Sequence, residues 1–279
     1  MRAMAELLIL CYHAVSEKFP ASLSVSPRAL RAQLRSLVRH GYQGATFSGA
    51  LGRIREGKTL VVTFDDAYRS VVRLGFPILA ELGLPATVFA PTAYIGTERP
   101  MGWDGIDRWL NTAHEDELVP CSWHELQMLV DAGWEVGSHT RTHPRLPELS
   151  DGELASELRG SRRDCEQQLG VPCRSIAYPY GAVDRRVADA VADAGYLFAA
   201  ELPGSFRMPS ASLRWPRVGL YHRDAPWRFR LKTARLTRAL RGTPLWGVLD
   251  RTRQLGGPLV IGGLDLLIAN DHLTSIGLG

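Results

Sequence analysis

The chain has 279 residues, of which 45% are hydrophobic and 22% charged, and its net charge is +4. That balance fits a globular protein with a sizeable core and excludes a disordered or fibrous chain. So mild a charge does not by itself point to nucleic acid, and no run reaches the ~18 consecutive apolar residues of a membrane span.

From the N-terminus, Leu7 to Tyr12 reads as a first strand. The apolar run is too short for a secretory signal and leads straight into Tyr12-His13, so no export signal is expected. Pro27 to His40 has a helical period, with Leu30, Leu34, Leu37 and Val38 on one face, Ser26 as N-cap, Pro27 at the first helical position and Gly41 as the stop. Leu60 to Phe64 is a β-branched buried strand that runs into Asp65-Asp66. Phe76 to Leu82 reads as a helix closed by Gly83, and Ala86 to Ala90 as the next strand.

The alternation continues. Trp123 to Asp131 is a predicted helix ended by Gly133, and Trp134 to Gly137 a short strand leading into His139. Ser150 to Leu169 is a polar helix, with Ser150 and Glu153 spaced as a capping box. Ser175 to Tyr178 is a strand, and Val183 to Ala194 a helix stopped by Gly195. Strands and helices in turn predict a parallel α/β architecture, in which every polar motif follows the C-terminal end of a strand, the face where βα barrels collect their active sites. From about Pro226 the pattern changes, so residues 1–226 are expected to form the barrel and 227–279 a basic C-terminal extension. The late apolar stretch Leu259 to Ala269 is interrupted by Gly262-Gly263 and Asp265.

Four cysteines, Cys11, Cys121, Cys165 and Cys173, form no CxxC pair and are read as reduced thiols. With no export signal expected, that places the chain in the cytoplasm. Between Arg228 and Arg241 six cationic residues and no acidic one are interleaved with Trp227, Phe229, Leu231, Leu236 and Leu240. Such a segment either lies on an anionic membrane surface, here the inner face, or packs on the barrel with its Arg face solvated. No nucleic-acid motif accompanies the charge, so no nucleic-acid partner is expected.

The chemistry concentrates in two places. Asp65 and Asp66 are adjacent carboxylates that repel unless a cation or a shared proton intervenes. His139 and His143 are four residues apart, a spacing read as one side of a helical turn. Two imidazoles and one carboxylate are a common ligand set for catalytic zinc, which leaves the second carboxylate free to act as a base. Taken singly, an Asp-Asp pair is usually a solvated loop and an HxxxH pair incidental; both together, each after a strand, point to a metal site.

Thr63-Phe64-Asp65-Asp66, His139-Thr140-Arg141-Thr142-His143 and Tyr178-Pro179-Tyr180-Gly181 resemble, in order and separation, the first three motifs of the polysaccharide deacetylase family, the NodB-homology domain or carbohydrate esterase family 4. The resemblance covers roughly residues 7 to 222 and implies a distorted (β/α) barrel. It implies Asp65 as general base, Asp66, His139 and His143 as ligands of one divalent ion, typically zinc, and the backbone N–H of Tyr180, within Pro179-Tyr180-Gly181, as oxyanion donor. The implied reaction is hydrolytic deacetylation of an N-acetylated sugar in a glycan. The alternatives are another acyl substrate, such as an O-acetyl ester or small amide, and a non-catalytic carbohydrate-binding barrel.

Two features place the chain within that family. Many members carry the proton-donating His in a late Leu-x-His motif, for which His222 and His272 are weak candidates. Leu10-Cys11-Tyr12-His13 instead resembles the motif that poly-N-acetylglucosamine deacetylases carry at the start of the barrel, and this implies His13 as the acid. The family Arg that orients the base is replaced by Ala177, and Arg217, in Trp215-Pro216-Arg217-Val218, is the candidate replacement by position; its bland alternative is a surface Arg.

Overall fold

The computed structural model describes residues 5–53, 56–202 and 213–241. The elements in chain order are β1 (Glu6–Tyr12), β2 (Ala14–Val15), β3 (Ser24–Val25), α1 (Pro27–Arg39), β4 (Tyr42–Ala45), α2 (Phe47–Gly52), β5 (Lys58–Phe64), a π-helical turn (Val71–Gly75), α3 (Phe76–Glu81) and β6 (Thr87–Ala90). They continue with α4 (Trp123–Asp131), β7 (Glu135–Ser138), α5 (Asp151–Leu169), β8 (Ser175–Ala177), α6 (Arg185–Asp193), β9 (Phe198–Glu201), β10 (Trp215–Pro216), β11 (Val218–Gly219), α7 (Pro226–Thr233) and α8 (Arg235–Arg241).

Nine strands form one sheet in the order β10-β9-β8-β7-β6-β5-β1-β11, with β4 added beside β5; β2 and β3 pair separately. Every described pairing in the large sheet is parallel. The two ends of the sheet, β10 and β11, are consecutive in sequence and separated by Arg217 alone. The sheet therefore curls into a nearly closed barrel whose seam is crossed at that residue, the expected (β/α) barrel.

Alternation along the strands sorts the side chains. Leu8, Leu10 and Tyr12 of β1 and Leu60, Val62 and Phe64 of β5 pack outward under the helices with Leu30, Leu34 and Leu37 of α1. Their neighbours one residue along, Ile9 and Val61, face the barrel interior with Phe89, Ala177 and Ala200, and Phe47 of α2 closes the base, edge-on to Phe89 at 5.6 Å. The inward set on β5 runs Val61, Thr63 and then Asp65, so strand period alone delivers a carboxylate to the open end of the interior.

Local signals place the helices closely. Ser26 caps α1 by accepting from Ala29 N–H, and capping boxes at Ser122/Glu125 and Ser150/Glu153 start α4 and α5. Two expectations need correction. β8 ends at Ala177, because Tyr178 already begins the turn into Pro179. α6 begins at Arg185, where the Asp184 side chain accepts from Val187 N–H as the cap. The π-helical turn before α3, and both β4 and α2, lie in stretches with no strong local period.

The basic segment folds as α7 and α8 against the barrel. Phe229 is buried in the main core, Lys232 pairs with Asp224 at 2.8 Å, and Arg238 donates to Glu6 at 2.6 Å and to the Leu7 carbonyl at 2.7 Å. Part of its charge thus holds the segment to β1. Residues 259–269, and His272, lie outside the described residues. Among the described residues no helix is long and apolar enough to cross a membrane, and all four cysteines are buried and unpaired.

Candidate active site

Four strand ends supply the site. β1 and β5 run in register, Tyr12 opposite Phe64, so His13 and Asp65 leave the sheet side by side; Asp65 N–H donates to the Tyr12 carbonyl at 2.9 Å. On β7, paired with β6 up to Ala90 opposite Ser138, His139 N–H donates to the Ala90 carbonyl at 2.8 Å. β8 delivers the Pro179-Tyr180-Gly181 turn.

Beyond the strand ends the backbone is strained. Six non-glycine residues have positive φ among the described residues: Asp66, Ala67, Asn111, Thr140, His143 and Tyr180. All but Asn111 belong to the site. Each costs about 1–3 kcal/mol in such a conformation, so the surrounding structure spends stability to aim these side chains. His139 and His143 do not share a helical turn. They sit on an irregular loop whose left-handed residues Thr140 and His143 fold it back, and this fold-back brings the two rings to 4.8 Å between centroids.

The rings converge on Asp66. His139 Nε2 lies 3.3 Å and His143 Nε2 3.4 Å from Asp66 Oδ1, an oxygen that is buried without a hydrogen-bond partner among the described residues. Ligand atoms at ~2.0–2.1 Å from a tetrahedral zinc stand ~3.3–3.4 Å apart, so these three fit one ion. The tautomer fits too. His139 Nδ1 is 2.9 Å from the Ala177 carbonyl, which can only accept, so Nδ1 carries the hydrogen and Nε2 presents its lone pair. Burial pushes His143 down to about 3, with the His139 charge adding and Asp66 opposing; it stays a neutral imidazole. Burial would lower His139 as well, but its contact with Asp66, with the Asp65 charge adding, outweighs that and raises it.

Asp65 has a different environment. Arg217, 1% exposed, grips both its oxygens: Nη1 donates to Oδ1 at 2.6 Å and Nη2 to Oδ2 at 2.7 Å. Nη1 also donates to Thr63 Oγ1 at 3.0 Å, and the guanidinium lies over the Phe89 ring at 5.4 Å. Burial favours the neutral acid, but the Arg217 charge, helped by His139, outweighs it and holds Asp65 well below the usual carboxylate range. Arg217 is not a surface residue. It enters the interior from the seam between β10 and β11.

His13 completes the group: a His13 ring nitrogen, Cys11 Sγ and an Asp65 oxygen lie within 4.8 Å of one another. This trio does not suit a second ion, because Arg217 already faces Asp65 and burial pushes the Cys11 thiol up, keeping it protonated. The Tyr180 and His143 rings meet edge to face at 4.7 Å between centroids, and the Arg145 guanidinium lies over the Tyr180 ring at 4.2 Å. His222 is exposed and apart, its N–H donating to the Ser22 carbonyl.

Three contributors have no signal that sequence reasoning used. Trp103 stacks on His143 at 4.1 Å and 18°. Arg145 pairs with Asp104 at 3.1 Å, which ties the Trp103 loop to the Tyr180 turn. Glu157 accepts from the histidine loop. Arg145 lies two residues past His143, close enough to the histidine motif to carry a local signal, whereas Trp103 lies in a long irregular stretch with none.

Comparison with known proteins places these features in context. Residues 52–199 match the family model described as Polysaccharide deacetylase. The poly-beta-1,6-N-acetyl-D-glucosamine N-deacetylase of Staphylococcus aureus is 24% identical over 186 residues, 62% of this chain and 59% of that protein. Bacillus subtilis YxkH is 25% identical over 197 residues, 69% of this chain and 63% of its own. The chain thus spans about three-fifths of the length of these curated relatives. Among solved structures, a polysaccharide deacetylase from Bacillus cereus superposes with a TM-score of 0.67 at 26% identity, over 82% of this chain and 69% of that one. IcaB from Ammonifex degensii shares the fold, with a TM-score of 0.65 at 22% identity over 86% and 99%.

Proposed function

The chain belongs to the polysaccharide deacetylase family, and on that basis we propose that it hydrolyses the acetamide of an N-acetylated amino sugar within a glycan, with one divalent ion, zinc, held by Asp66, His139 and His143. The observation that carries this reading is the division of two adjacent aspartates between environments. Asp66 faces two imidazoles with an unpartnered oxygen, while Asp65 is clamped by Arg217.

A bound ion supplies Lewis acidity for the acetyl carbonyl and lowers the pKa of water. The protein supplies the rest. Asp65 Oδ2 takes hydrogen bonds from Arg217 and, at 3.4 Å, from the Cys11 thiol, whereas Oδ1 takes one, from Arg217. A carboxylate oxygen has two acceptor positions, so Oδ1 is the oxygen that accepts the proton of the attacking water. The fork fixes the plane of the carboxylate and prevents a rotation that would misdirect it. His13, beside Asp65 on the neighbouring strand end, donates a proton to the amine nitrogen as the C–N bond breaks, and acetate and the free amine leave. The Tyr180 N–H is assigned to the developing oxyanion, where such a donor contributes about 2.7–4 kcal/mol.

The N-acetylglucosamine polymer named for the S. aureus relative supports the choice of a glycan amide over an ester. Metal content by elemental analysis and acetate release from N-acetylglucosamine oligomers test the reading together. Wild type is expected to hold near-stoichiometric metal, Asp66→Ala to lose it, and Asp65→Asn to keep it while losing acetate release. A wild-type protein that takes up no zinc, cobalt or nickel on reconstitution refutes the proposal.

A further inference from the structure

The histidine loop is left-handed at Thr140 and again at His143, and it rests on one face of α5. Arg141 N–H and Thr142 N–H both donate to Glu157 Oε2, at 2.7 and 3.0 Å, and Thr142 Oγ1 donates to Oε1 at 2.8 Å. Two turns on, Asp164 accepts from Thr92 Oγ1 at 2.6 Å and from Arg141 Nε at 3.3 Å. Thr92 and Ala93 N–H in turn donate to the carbonyls of Thr140 and Arg141, each at 3.0 Å. Between the two acids lies Gly160, where a Cβ would stand 2.5 Å from Arg141 Cδ, so the bare backbone gives Arg141 room to lie along the helix. Ser161 completes the face, its hydroxyl 2.8 Å from that of Ser138 just before His139. Positions 157, 160, 161 and 164 follow the helical spacing that puts side chains on one face.

We propose that Glu157 is a positioning residue that presets the two-histidine loop for a divalent ion; the inference rests on the metal-centre reading above. Between His139 and His143 the chain must reverse over three residues, and the reversal turns two successive N–H groups away from the rings. A single carboxylate oxygen collects both. With that anchor gone, the loop is free to relax from its left-handed conformations, and the two Nε2 atoms lose their separation before an ion arrives. Glu157 is partly exposed and outside the hydrophobic core, so its removal opens no cavity. Its effect is therefore expected in metal affinity rather than in global stability. Outer partners of this kind change affinity by about 10–100-fold.

The test is competition for cobalt(II) and zinc between a chromogenic chelator and the full-length metal-free protein, with the Tm of each metal-free variant measured in chelator. In Glu157→Ala the Kd is expected to rise about 10–100-fold, and the visible cobalt absorption of a tetrahedral site to weaken, while the metal-free Tm stays close to wild type. Glu157→Gln keeps an oxygen for both N–H groups and is expected to restore most of the affinity. Glu157→Asp, too short to reach both, is expected to fall between, and it decides the question if the alanine variant does not fold. A Kd for Glu157→Ala, or for a folded Glu157→Asp in its place, that matches wild type overturns the inference while the metal centre stands. A wild type as weak as Asp66→Ala removes the metal centre and this inference with it.

Discussion

Replacing Arg217 by methionine isolates the role of the seam-crossing residue. Methionine nearly fills the space of the guanidinium stem without a charge, so Asp65 remains buried with its fork removed. Removing one partner of a buried ion pair costs about 3–5 kcal/mol, and in a domain of 150–250 residues each kcal/mol moves Tm by about 2–4 °C. A fall of roughly 6–20 °C is therefore expected at pH 8 in chelator, where metal binding does not contribute. The pH dependence carries the stronger test. In wild type the Asp65 pKa is depressed, so its contribution is present above the unfolded value of ~3.9 and is lost as pH falls through the folded one. In Arg217→Met, burial is no longer outweighed and the folded pKa rises above ~3.9. The folded variant then holds a proton that it must give up, or keep at a cost, as pH rises. The stability gap between the two proteins should thus be smallest near pH 4 and widen toward pH 8. Urea unfolding across that range measures it, and Asp65→Asn in the methionine background should recover part of the loss. A gap under about 1 kcal/mol at pH 8, or one that does not change between pH 4 and 8, refutes the idea that Arg217 is what keeps Asp65 ionised.

Three other outcomes follow from the same structure. His13→Asn should keep its metal by elemental analysis but lose about 10²–10⁴-fold in kcat for acetate release; an unchanged kcat would move the proton donor elsewhere. Gly137→Ala places a methyl 2.6 Å from the Phe89 ring and 2.7 Å from Ser175 Oγ inside the barrel, and should cost about 1–3 kcal/mol in chemical denaturation. Ser122→Ala removes the hydroxyl that accepts from Glu125 N–H in the α4 capping box while the Ser122 backbone N–H can still donate to the Glu125 carboxylate, with an expected loss of about 1 kcal/mol; a Tm unmoved by that change would mean the hydroxyl contributes nothing to holding α4.

What was legible in the sequence had local causes. Strand period carried Val61, Thr63 and Asp65 onto one face, Ser, Pro and Gly marked the helix ends, and Asp65-Asp66, His139 and His143 stood out as candidate ligands after predicted strands, while the family resemblance alone implied which aspartate would be ligand and which base. These features depend on a few neighbouring residues, and chain chemistry decides them. The helical reading of the His139–His143 spacing failed because nothing local signals two left-handed residues that the α5 face and the Thr92-Ala93 backbone support. Trp103 over His143 and Glu157 under the loop were equally silent, since each depends on which distant segment arrives beside it.

Arg217 marks the division most sharply. Its residue type and its place near a short strand made it a candidate, but a surface Arg was equally consistent with the same letters. Closure of the sheet decides between them. The chain must cross from the edge strand β10 to the edge strand β11 in one residue, and that residue points into the interior beside Asp65, 152 positions away in sequence. The sequence by itself determined which groups could do the chemistry. Their pairing was decided only by the tertiary structure, because a buried carboxylate takes its charge state from whatever the closed barrel brings against it.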